Sequence, residues 1–253
     1  LYFDPPAFIL DFTRGDAGGS MTILRAMTYA LEGCTENYLT ETGHLICDQR
    51  PDLVFLQHLK PGQLQIIGEA AAMEPGACAN QTGFLSRYPL KAERPFSLEG
   101  GGQCLQADLD LFGKRIHLFN VQLACDPGLR ARQVAGLFGA NVLSNQLPCA
   151  VLAAGDFSLP LLGAGQWLLR RKLTLAQFAG GQTNYPASFP LWARDRFYLR
   201  GPIKSLAGQV ITTPASKKIA RHLPVVVSFE LTDTREYLKI NKIQEKQMRP
   251  AVG

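Results

Sequence analysis

The sequence predicts an α/β fold in four layers, with two β-sheets face to face and helices covering both outer faces. Three observations predict it. Short apolar runs alternate with amphipathic stretches along the chain. The strand-like runs occur in both halves, with helix-like stretches between them. And 46% of the 253 residues are hydrophobic, which suits one large domain of packed layers.

Residues 22–31 carry Ile23, Leu24, Met27 and Tyr29 and are expected to form a strand. Residues 41–50 read as a helix and 52–56 as a buried strand. Residues 83–87, 103–111 and 115–123 read as successive strands. Gly113-Lys114 suits a tight turn between the last two, since glycine tolerates positive φ. A long helix is expected over 127–143, with Pro127 near its start, where a missing N–H costs little. The fully apolar run 149–154 leads as a strand into Gly155-Asp156. Residues 161–172 are expected as a helix, and 197–199, 209–213 and 224–231 as strands. No internal repeat or low-complexity tract interrupts the series.

The domain is expected over 21–231. Residues 1–20 read as an N-terminal extension or tag remnant, because Leu1-Tyr2-Phe3 resembles part of a cleavage tag. Residues 232–253 read as a basic C-terminal helix or tail. Lys239, Lys242, Lys246 and Arg249 fall at helical spacing there, as a solvated face or as an anion or partner contact. No apolar run reaches the roughly 18 residues needed to cross a bilayer, and a cytoplasmic location is slightly favoured. The net charge of +5 fits ordinary solubility as well as a polyanion partner. Nucleic acid ranks last among partners, because no basic-aromatic stripe is present. Cys34, Cys47, Cys78, Cys104, Cys125 and Cys149 form no C-x-x-C pair, so buried free thiols are favoured over disulfides or a zinc ribbon.

Several segments resemble the endonuclease/exonuclease/phosphatase superfamily, a DNase I-like phosphodiesterase fold. Leu24 to Leu31 resembles its first strand, which ends Tyr-Asn-Ile in the family. Pro51-Asp52-Leu53-Val54-Phe55-Leu56-Gln57-His58 resembles Pro-Asp-Ile-Val-x-Leu-Gln-Glu. Gly83 to Leu90 resembles the Leu-Ser-Arg-Tyr-Pro-Ile segment. Phe119-Asn120-Val121-Gln122-Leu123 resembles Val-Asn-Thr-His-Leu, and Arg130, Arg132 and Gln133 the Arg-rich helix after it. Gly155-Asp156-Phe157-Ser158 resembles Gly-Asp-Phe-Asn, and Arg194 to Leu199 the Leu-Asp-x-Ile/Phe strand. Ala220-Arg221-His222-Leu223-Pro224 resembles Ser-Asp-His-Leu-Pro. The resemblance spans nearly all of 21–231 in natural order. It implies a four-layer α/β/β/α sandwich with two mostly antiparallel sheets. It also implies Mg²⁺ or Mn²⁺ held by carboxylates and a histidine, oriented by an aspartate, acting on phosphate and water.

Three implied catalytic positions are intact: His222, its orienting Asp195, and Asp156. Five are changed. Ala30 replaces an asparagine, His58 the principal metal-binding glutamate, Gln122 a histidine, Ser158 an asparagine, and Arg221 the last metal-side aspartate. The glutamate and aspartate replacements shift the pocket by about +3 from the family pattern. Two unit charges roughly 4 Å apart at an effective dielectric of 20 interact by about 4 kcal/mol, so a dication near Arg221 is disfavoured and no cofactor is expected. The leading reading is a pseudoenzyme in which Arg221, His58, Gln122, Ser158 and Ala30 line a site for a phosphorylated small molecule or a protein partner. The alternative is a residual phosphodiesterase or phosphatase with Mn, Mg or Zn on His58, Asp156 and His222.

Gly100-Gly101-Gly102 lacks a following helix and Lys-Ser/Thr, and reads as a loop. Ala179-Gly180-Gly181 reads as a turn. His44 and His117 read as ordinary residues without partners, and Trp167 and Trp192 as core residues. A Gly-x-Ser-x-Gly elbow is absent, which argues against a serine hydrolase.

Overall fold

Alternation with period two gives each central strand two apolar faces. In β1 (Thr22–Ala30) Leu24 and Ala26 point into one apolar cluster, while Met27 and Tyr29 point into another. β8 (Ala150–Asp156) does the same, with Leu152 and Ala154 on one side and Val151 and Ala153 on the other. Such strands can be buried only in a sheet covered on both faces. The computed structural model describes residues 21–139, 143, 149–158 and 164–232, and it has that form.

The remaining elements, in order, are α1 (Leu39–Gln49), β2 (Leu53–Gln57), α2 (Gln63–Ala71), β3 (Glu74–Ala79), β4 (Thr82–Ser86), β5 (Leu90–Ser97), β6 (Gln103–Leu111) and β7 (Lys114–Gln122). After β7 come α3 (Pro127–Leu137), then β8, α4 (Ala164–Lys172), β9 (Thr174–Leu175), β10 (Asp195–Arg200), β11 (Ile203–Val210), α5 (Pro214–Ile219) and β12 (Val225–Leu231). Two six-stranded sheets result, ordered β11-β12-β1-β2-β4-β3 and β5-β6-β7-β8-β10-β9. Only β1 with β2 and β7 with β8 run parallel; the other named pairs are antiparallel.

The middle apolar layer joins Phe55 and Phe84 of one sheet to Leu118 and Phe197 of the other. Outer layers join the first sheet to α1, α2 and α5, and the second to α3 and α4. The architecture is therefore the α/β/β/α sandwich. Among the described residues no helix is long and apolar enough to cross a membrane.

Boundaries differ in places. The helix from Pro127 ends at Leu137, where Phe138 leaves helical geometry; residues 140–142 lie outside the described residues. The last strand before α5 covers Ile203–Val210 and not 209–213, since Pro214 and the Thr213 cap start a helix there. The tight turn is Phe112-Gly113, both at positive φ, rather than Gly113-Lys114. The expected helix 161–172 is observed from Ala164, its first three positions being outside the described residues, as are both expected terminal segments apart from Thr232. Cys34, Cys104 and Cys149 are buried free thiols, but Cys78 and Cys125 are exposed. Trp167 and Trp192 are exposed and not core, and His117 has a partner, its Nδ1 lying 2.6 Å from Asp108 Oδ1. Glu99–Gly101 forms a 3-10 turn.

The two parallel pairs matter most for position. They bring the C-terminal ends of β1 and β2 in one sheet, and of β7 and β8 in the other, to one rim of the sandwich. A buried amide chain spans the sheets just below it. Gln57 Nε2 donates to Asn120 Oδ1 at 2.7 Å, and Asn120 Nδ2 donates to the carbonyls of Leu56 (2.9 Å) and Gly83 (2.8 Å).

Candidate active site at the sheet rim

Loops leaving these strand ends are tied together by their backbones. Leu31 N–H donates to Gln57 O, Phe157 N–H to Arg194 O, Arg221 N–H to Glu32 O, and Leu223 N–H to Asn184 O. The side chains they carry thus converge from five strands.

His222, with 0% exposure, is at the centre. Its Nδ1 lies 2.8 Å from Asp195 Oδ2, and its Nε2 lies 3.2 Å from Glu32 Oε2 and 4.0 Å from Asp156 Oδ2. With a carboxylate at each ring nitrogen, only the imidazolium donates to both. Burial lowers the His222 pKa, but the carboxylates of Asp195, Glu32 and Asp156 outweigh it and push it up to about 10. Asn184 supports the pair: its Nδ2 donates to Asp195 Oδ2 and to Leu223 O, while its Oδ1 accepts the Arg194 N–H at 2.9 Å. Tyr185 packs on the imidazole at 4.8 Å between centroids.

Asp156 is fully buried at the end of β8. Its Oδ1 accepts from Ser158 N–H (2.9 Å) and Ser158 Oγ (2.7 Å). Its Oδ2 meets Arg194 Nη2 at 3.0 Å and His58 Nε2 at 3.2 Å. Burial raises its pKa, but these hydrogen bonds and nearby cations win and hold it well below the usual carboxylate range. Arg194 also donates to Ser158 Oγ and Cys125 Sγ, and its guanidinium lies 4.3 Å over the Tyr185 ring.

The site therefore brings together His222, Asp195, Asp156, His58 and Ser158. Gln122 supports from behind, its Oε1 accepting the His58 N–H at 2.9 Å. Ala30 is buried at the end of β1 and has no polar side-chain atom to offer. Arg221 stands at the rim, 65% exposed, and its Nη1 lies 3.4 Å from Glu32 Oε1. Glu32, Arg194 and Asn184 were not anticipated from sequence. Arg194 is adjacent to Asp195 and could have been weighed as a counterion; nothing local marks Glu32 or Asn184.

Glu32 changes the charge balance. Its carboxylate faces His222 Nε2, Arg221 Nη1 and, at 3.8 Å, Arg194 Nη1. The His222 hydrogen bond leads the forces lowering its pKa. Three carboxylates (Glu32, Asp156, Asp195) now oppose three cations (Arg194, Arg221 and protonated His222).

One oxygen or nitrogen each of Asp156, Asp195 and His222 could face a metal, these atoms lying within 4.8 Å of one another. Several of these donor atoms are already engaged, while Asp195 Oδ1 is buried without a hydrogen-bond partner among the described residues. Asp195 Oδ2 and His222 Nδ1 are bonded to each other, and Asp156 Oδ2 already carries the Arg194 guanidinium. A cation entering there would confront a fixed positive charge.

No family model and no curated protein sequence matches the chain. Solved structures do. The endonuclease/exonuclease/phosphatase from Bacteroides vulgatus superposes with a TM-score of 0.72 at 12% identity, covering 83% of this chain and 99% of that one. A family protein from Bacteroides thetaiotaomicron gives 0.69 at 14%, covering 84% and 99%. Humanized D. rerio TDP2 gives 0.63 at 17%, covering 82% and 98%. The chain has the endonuclease/exonuclease/phosphatase fold.

Proposed function

We propose that this chain, built on the endonuclease/exonuclease/phosphatase fold, is a pseudoenzyme that binds a phosphate-bearing ligand or a partner presenting one. The observation that carries this reading is the convergence of His222, Arg194 and Arg221 on the carboxylate of Glu32. Three cations so close together need an anion between them. Glu32 supplies it internally, and at 30% side-chain exposure it is open to displacement. An incoming phosphate would accept from His222 Nε2 and from both guanidinium groups, which suit its oxygens. This reading does not extend to hydrolysis, because the His222 imidazolium, donating to Asp195 and to the phosphate, has no free lone pair with which to take a proton from water.

The test is calorimetric titration with inorganic phosphate. Glu32→Ala should bind roughly ten-fold more tightly than wild type, and Glu32→Ala/Arg221→Ala should lose that gain. Equal affinity for wild type and Glu32→Ala, or binding by neither, rejects the reading.

A metal-dependent phosphoesterase is the second reading, favoured by the grouping of Asp156, Asp195 and His222. It requires the ion to displace Arg194. Titration of the metal-stripped protein with Mn²⁺, repeated on Asp156→Ala, discriminates the two. Binding lost in the variant supports the second reading, and absence of binding supports the first.

A further inference from the structure

Beside the Glu32 pocket, α5 and the turn at residues 185–192 enclose a second cleft of about 350 Å³, whose walls include Gly33, Ser188, Lys217, Lys218 and Arg221. Among the described residues, the charged ones lining it are Lys217, Lys218 and Arg221, all cations. Among the described residues neither Lys217 nor Lys218 has an ion pair.

The walls are held in place. Thr213 and Ser216 cap α5 reciprocally, which fixes the two successive lysines. Arg221 is bolted on both sides, its N–H donating to Glu32 O at 2.9 Å and its carbonyl accepting from Ala187 N–H at 2.7 Å. Gly33 has φ +80, and a Cβ there would meet Arg221 Cγ at 3.4 Å, so glycine lets the arginine stem lie flat along the rim. The turn that forms the opposite wall is closed by the Tyr185–Trp192 pairing. It exposes Phe189 (70%), Leu191 (52%) and Trp192 (57%) to solvent. These three large apolar side chains belong to the same short turn whose Pro186, Ala187 and Ser188 line the basic cleft.

We propose that this cleft is a separate phosphate-binding site for a ligand with an apolar body. The phosphate lies on Lys217, Lys218 and Arg221, and the apolar part lies against Phe189, Leu191 and Trp192. Arg221 borders both sites, so the cleft is told apart from the Glu32 pocket by Lys217 and Lys218, neither of which takes part in that pocket. Two sources share this chemistry: a soluble aromatic phosphate ester and a phospholipid headgroup with its chains.

Two probes distinguish them. Phenyl phosphate is titrated by calorimetry, and phosphatidic acid in phosphatidylcholine vesicles is tested by co-sedimentation. Each is run on the full chain, on Lys217→Ala/Lys218→Ala and on Phe189→Ser/Trp192→Ser. These side chains are exposed, and a thermal melt checks that each variant is folded. The expected result is a roughly ten-fold or greater loss in both variants with at least one probe. Loss with phenyl phosphate assigns a soluble ester, and loss with vesicles alone assigns a headgroup. Binding by neither probe, or affinity unchanged in the lysine variant, overturns the proposal. Loss in the lysine variant alone overturns its apolar half. Phosphate affinity that responds to Glu32→Ala but not to the lysines removes the cleft and leaves the pocket; the opposite pattern does the reverse.

Discussion

Arg194 stands next to Asp195 in the chain, yet its guanidinium reaches across to Asp156, Ser158 and Tyr185. It occupies Asp156 Oδ2, one of the carboxylate oxygens open to a divalent ion. Replacing Arg221 by Asp and His58 by Glu restores acidic residues but leaves that guanidinium in place, so Arg194→Ala is the substitution that frees Asp156. We expect it to raise Mn²⁺ affinity at least roughly ten-fold, read by calorimetry. We also expect it to cost about 3 kcal/mol of stability, because buried Asp156 loses its guanidinium partner and keeps only Ser158 and His58. Unchanged Mn²⁺ affinity in a folded variant would show that Arg194 is not the obstacle. The candidate catalytic residues were legible because each lies inside a local motif, such as His222 before Leu223-Pro224 and Asp156 after Gly155. Glu32 was not legible. It gains meaning only from His222, 190 positions away.

At the scale of elements, the pairing of β7 with β8 sets Gln122 opposite Asp156 at the rim. Val121 lies opposite Gly155 in that pair. A Cβ on Gly155 would come within 1.9 Å of the Val121 carbonyl oxygen, and its φ is +138. A backbone atom cannot move aside as a side-chain tip does. Gly155→Ala is therefore expected to fail to fold or to melt far below wild type. Gly101→Ala, with φ +90 but open space around it, should cost only about 1 kcal/mol. A comparison of the two melting temperatures checks this, and equal losses would refute the steric account.

The elements that escaped the sequence reading divide by cause. α2 carries Leu64, Ile67, Gly68 and Ala71 at helical spacing, and α5 follows a Thr213-Pro214 start, so both had a local signal. β3 and β5 did not. Glu74-Pro75-Gly76 is a poor strand sequence that β4 pairs into place. β5 is a mostly exposed edge strand bearing Lys91, Glu93 and Arg94, charges that guard an edge and erase the alternation.

For the whole molecule, the buried charges tie stability to pH. The His222 pKa is raised from 6.5 to about 10, so its contribution is full below pH 6.5 and is lost as pH rises toward 10. Asp156 and Glu32 have lowered pKa values. Their contributions are present above their ordinary values of 3.8 and 4.5, and fade as pH falls below them. Stability should be greatest between roughly pH 5 and 6.5. Tyr29, whose phenol burial pushes up, adds a loss only above pH 10. Urea unfolding at pH 6 and pH 9 should show a fall on the order of a few kcal/mol in wild type. Asp195→Asn, which removes the carboxylate on Nδ1, should show a much smaller one. An equal fall in both proteins would remove His222 as the cause.

From its sequence alone, this chain determined its layered fold, its main strands and the motif residues at the rim. Those depend on periodicity and on neighbours a few positions apart, which a linear reading sees. Only the tertiary structure decided what the rim residues do. It turned Arg221 outward, set Arg194 on Asp156 and placed Glu32 between three cations. Electrostatic interactions depend on distance in space and on burial, and the pairs that matter here join residues far apart in the chain, such as Asp156 with Arg194 and Glu32 with His222.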